Sequence, residues 1–160
     1  MPPSTRLLTS SRPDLWETLA VEAAAESPLW AEALLPDRER EFAPVFSPLA
    51  PERFALALET IYEGYLVHYG RSRLFAPPGE HEAVLLGDYL YAHGLVRIAA
   101  VGEIDAVAAL AELISTCAHL QAEGTAGDGE AWAETAHRLG GEADVDTVAA
   151  ALLAHAQRFG

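Results

Sequence analysis

EHEAVLLGDYLYAHGLVRIAAVGEIDAVAALAELISTCAHLQAEG, residues Glu80 to Gly124, reads as two long helices joined by one tight turn at Gly102. In the first, Leu85, Leu86, Leu90, Leu95 and Ile98 are apolar. Gly87 and Gly94 lie seven residues apart on one face, with Tyr91 between them on that face. A glycine inside a helix costs up to about 1 kcal/mol. Two of them on one face predict a close approach by another helix. In the second helix Ile104, Val107, Ala111, Ile114 and Ala118 make a stripe. A second row, Leu110, Leu113, Cys117 and Leu120, widens it, which predicts burial of most of that helix.

The segments on either side follow the same helical pattern. Residues 1–12 read as a flexible arm, with Ser10 or Ser11 as cap and Pro13 in the first turn of the next helix. Asp14 to Leu35 is helical but divided at Ser27-Pro28, because proline disfavours helix at the residue before it. Asp37 to Pro51 is charged and then proline-rich, a connecting loop. Pro51 to Tyr69 carries Phe54, Leu58, Ile61, Tyr65 and Tyr69 on an inward stripe. Glu52, Arg53, Glu59 and Glu63 are assigned to its other, solvent side. Gly70 stops this helix, and Pro77-Pro78-Gly79 marks a loop. Two shorter helices, about 129–139 and 145–159, end the chain, the last capped by Asp144. No strand-like alternation or internal repeat interrupts the pattern. The fold class is therefore all-α: a single helical domain over residues 13–160.

Composition restricts the function classes. The 160 residues are 51% apolar, enough for a core of their own. The 24 acids and 10 bases leave a net charge of −14, with ten arginines and no lysine. That field repels nucleic acid, and no basic run offsets it. One cysteine, Cys117, excludes an internal disulfide and a cysteine zinc cluster, and its place in an apolar helix predicts a buried thiol. The six histidines (68, 81, 93, 119, 137 and 155) show no metal-ligand spacing, so no metal and no cofactor is expected. No apolar run approaches the ~20 residues of a membrane span, and no targeting segment is visible. A cytoplasmic protein is the expectation.

Leu85-Leu86-Gly87-Asp88-Tyr89-Leu90 follows Leu66-Val67-His68 and precedes Ala111-Glu112-Leu113-Ile114 at about the distances found in the middle of a polyprenyl diphosphate synthase, which this stretch resembles. The resemblance covers about Leu56 to Gly124 and extends more weakly to Gly160. It implies part of the isoprenoid synthase fold. In that family the Leu-Ile-His match leads into the first Asp-Asp-x-x-Asp motif, whose carboxylates hold the Mg²⁺ that grips the allylic diphosphate. The matching positions here are Tyr69, Gly70 and Arg73, so all three carboxylates are missing. The Gly-Gly-Lys-Arg segment that helps bind the second diphosphate corresponds to Asp37-Arg38-Glu39-Arg40-Glu41, without its glycines or lysine. The second aspartate motif would follow the last helix.

The resemblance therefore implies a non-catalytic accessory subunit in isoprenoid biosynthesis. It would dimerise with itself or with a catalytic prenyl diphosphate synthase subunit through the Gly87–Gly94 helix. The alternative is a helical module binding an isoprenoid or another apolar ligand. Its cavity would lie between the 54–69 helix and the central pair, with Arg71 and Arg73 at the mouth. Candidate ligand-binding residues are His68, Tyr69, Arg71, Arg73 and Asp88. His68 with the two arginines could hold a phosphate without metal. Asp88 in an apolar helix needs a partner on a neighbouring helix. No catalytic residue is nominated, since no acid, base or nucleophile stands out by spacing.

Overall fold

The structure, a computed structural model, describes residues 14–159. Seven α-helices follow one another: α1 (Leu15–Glu26), α2 (Pro28–Ala33), α3 (Ala55–Tyr69), α4 (Glu80–Ala100), α5 (Ile104–Glu123), α6 (Asp128–Arg138) and α7 (Val145–Gln157). The all-helical reading holds. A single antiparallel bridge, Leu34 to Phe75, is the sole extended pairing among the described residues. Local chemistry sets the boundaries. Ser27 ends α1 in an extended conformation and accepts a hydrogen bond from Leu29 N, while Pro28 opens α2. Asp144 caps α7 by accepting from Thr147 N at 2.8 Å. The cap of α1 is Asp14, which accepts from Trp16 N. Ser10, Ser11, Pro13 and the arm over 1–12 lie outside the described residues. The 37–51 connection contains short 3-10 turns at Asp37–Glu39 and Ser47–Leu49, and a third, Glu52–Phe54, leads into α3.

The organising helix is α3, not α4. Every residue from Ala57 to Leu66 is buried, so α3 has no solvent side over that span. One core packs on it from α5, α6, α7 and the 45–54 segment, with Phe46, Tyr62, Tyr65, Leu110 and Trp132 at its centre. A second, smaller core joins α1 and α2 to Leu74, Phe75 and the α4 residues Leu86 and Leu90. The placing of Glu59 and Glu63 on a solvent side is therefore corrected: both are fully buried.

The glycine-marked close approach exists, but within the chain. A Cβ on Gly94 would lie 2.4 Å from Ile61 Cγ1, and one on Gly64 would lie 2.9 Å from the Gly87 carbonyl. The face of α4 carrying Gly87 and Gly94 is thus filled by α3 and is not free for a partner. The opposite face carries the exposed residues Leu85 and Val96, and Val84 is exposed nearer the first turn. In α5 the inward row is Ala106, Ala109, Leu110, Leu113 and Cys117. Ile104 is 83% exposed, and Ala111 and Ala118 also face out, so α5 is buried on one face rather than on most of its surface.

Candidate functional site

Arg73 lies in the interior, away from any cavity mouth. Its Nη1 donates to Glu59 Oε2 at 2.6 Å and to the Ala43 carbonyl at 2.8 Å, and its Nε donates to Glu63 Oε2 at 2.8 Å. The guanidinium carbon lies 4.5 Å from the Trp16 ring centroid and 5.1 Å from that of Tyr62. Burial opposes its charge, but the Glu59 and Glu63 carboxylates outweigh burial and hold it protonated. Each glutamate's other oxygen ties down a loop. Glu59 Oε1 accepts from Val45 N and Ser47 N, and Glu63 Oε1 from Ser72 Oγ, Arg73 N and Leu74 N. With Nε, Nη1 and Nη2 each bonded inside the protein and the side chain fully buried, Arg73 is a structural cross-link that no phosphate can reach.

The other four nominated residues separate. His68 Nε2 lies 3.1 Å from Asp88 Oδ1, so Asp88 finds its partner on α3, although its own side chain remains two-thirds exposed. The His68 ring also covers Gly87, where a Cβ would lie 2.4 Å from Nε2. Tyr69 packs on Tyr65 and His68 at the exposed end of α3. Arg71 is exposed and lines a cavity of about 410 Å³ between the end of α3 and the 35–41 and 70–77 loops. Glu39 and Glu41 share that lining. No elongated apolar space separates α3 from α4 and α5; Leu90, Ile98 and Leu110 fill it at 0% exposure.

A different constellation borders a cavity of about 570 Å³ at the end of the bundle where α5, α6 and α7 meet. Its wall is the turn from α5 to α6. Gly124 ends α5 in the left-handed conformation (φ 64°), and Gly127 (φ 123°) reverses the chain into α6. That puts Asp128 at the first position of α6, facing α3 and α7. Gly129 behind it lets α7 come close: a Cβ there would lie 2.9 Å from the His155 ring.

The polar groups form a chain. Gln121 Nε2 donates to Tyr65 Oη at 2.7 Å, and Tyr65 donates to Asp128 Oδ2 at 2.6 Å. His155 Nε2 lies 2.9 Å from the same Oδ2, and His155 Nδ1 lies 2.8 Å from Tyr62 Oη. Tyr62 is fully buried, and the contact with Nδ1 is its hydroxyl's one hydrogen bond among the described residues. The imidazole thus bridges Tyr62 and Asp128 through its two ring nitrogens. Burial alone would raise the Asp128 carboxyl. The bonds from Tyr65 and His155, the Coulomb attraction of His155 and the Gly129 N–H outweigh it and hold the group below the ordinary carboxylate range. Burial pushes both tyrosine hydroxyls well above their usual value.

None of these residues was nominated from the sequence. Tyr65 lies on the inward stripe read from the sequence and is indeed core, whereas Asp128 and His155 carry no spacing signal. They stand 27 residues apart on different helices, and no local spacing connects them. The faint mark is His155 within an otherwise alanine- and leucine-rich helix. Among the described residues no group of three or more metal-ligating side chains converges. No described helix is long and apolar enough to cross a membrane. No protein-family model, no curated protein and no solved structure matches the chain.

Proposed function

We propose that this chain is a ligand-binding helical module whose site is the cavity between the 124–129 turn and α7. The observation that carries the reading is the chain of hydrogen bonds ending on Asp128 at the wall of that cavity. A cavity of about 570 Å³ falls within the range that encloses small molecules. Leu120, Leu152 and Phe159 offer an apolar wall, and Asp128 and Gln121 offer polar groups that fix an orientation. The arrangement favours holding over reacting. His155 uses both ring nitrogens within the protein, and no thiol or serine hydroxyl adjoins it to serve as nucleophile. The experiment is a fragment screen followed by amide shifts of the isotope-labelled protein. Binders should shift residues 121–130 and 152–159 together. A screen in which every binder shifts amides elsewhere refutes the reading.

A second reading keeps the accessory role in isoprenoid biosynthesis, with the partner either a second copy or a catalytic prenyl diphosphate synthase subunit. It draws support from the outward side of α4, where Leu85 and Val96 are each at least half exposed. On this reading Val96→Glu weakens association in sedimentation. It also weakens any stimulation of prenyl transfer by a synthase bearing both Asp-Asp-x-x-Asp motifs. Wild-type protein that sediments as a monomer and leaves synthase activity unchanged refutes it.

A further inference from the structure

We draw no further inference here: the strongest candidate, the outward side of α4 with Leu85 and Val96 exposed, carries nothing beyond the accessory reading already described, because nothing in the structure shows what covers it.

Discussion

Replacing Arg73 by methionine should be among the most damaging single changes available to this protein. Methionine approximates the length of the side chain, so the Trp16 and Tyr62 rings keep a packing partner. What disappears is the cation between Glu59 and Glu63, all three side chains being fully buried. Removing one member of a buried ion pair costs about 3–5 kcal/mol, because the charge left behind is neither hydrated nor paired. Here two like charges are left, one turn apart on α3. The upper part of that range is therefore expected, about 4–5 kcal/mol, against a total stability on the order of 5–15 kcal/mol for a domain. The companion variant is Glu59→Gln/Glu63→Gln/Arg73→Met. Its glutamine carbonyls can still accept from the amides of Val45, Ser47, Leu74 and position 73, which hold the two loops, and no charge remains at the cross-link. It should regain about 2 kcal/mol or more over Arg73→Met alone, since a whole buried ionic group can be replaced at far lower cost than one half of it. Urea unfolding followed by circular dichroism measures both. A loss under about 1 kcal/mol for Arg73→Met would refute the cross-link argument. So would a triple variant less stable than the single one.

Three further outcomes follow from other contacts. Gly141→Ala places a Cβ 1.8 Å from the Leu49 carbonyl and 2.9 Å from that of Ala136, and backbone cannot move aside as a side chain can. A loss of about 3 kcal/mol is expected, lowering the thermal midpoint by roughly 6–12 °C; Gly102→Ala, with open space but φ 84°, should lose only about 1 kcal/mol. The Asp128 carboxyl is held below its ordinary range when folded, so its stabilisation is complete above the unfolded value and is lost as the pH falls through the folded one. The stability gap between wild type and Asp128→Asn should therefore narrow steadily in urea melts below about pH 4. Cys117 is fully buried, and burial pushes its thiol up to about 12. A thiol reagent at mildly alkaline pH should label it only at the rate of unfolding, and immediate labelling of native protein would contradict its place in the core.

Much of the helical framework was legible because its causes are local. Ser27-Pro28 divides α1 from α2 through the geometry of one peptide, and Asp144 and Gly124 terminate helices through their own side chain or backbone. The spacing of Gly87 and Gly94 correctly announced a close helix, since no other residue type tolerates that approach. It could not say whether the approaching helix belongs to this chain or another, and α3 proved to be the occupant. The resemblance to polyprenyl synthases likewise rests on short apolar stretches of the α3–α4–α5 region, and its consequences stay with the accessory reading.

The amino-acid sequence by itself determined the all-helical class, the positions of the seven helices and the burial of Cys117, because capping, glycine and proline breaks and apolar periodicity act within a few residues. Which faces point inward was decided only by the tertiary structure. Glu59 and Glu63 occupy positions that look solvated on an isolated helix, yet they are buried because Arg73, ten and fourteen residues along the chain, returns to neutralise them. Asp128, His155, Tyr62 and Tyr65 meet because α3, α6 and α7 converge at one end of the bundle. Charge compensation and hydrogen-bond closure across helices depend on distance in space, and no spacing along the chain encodes it.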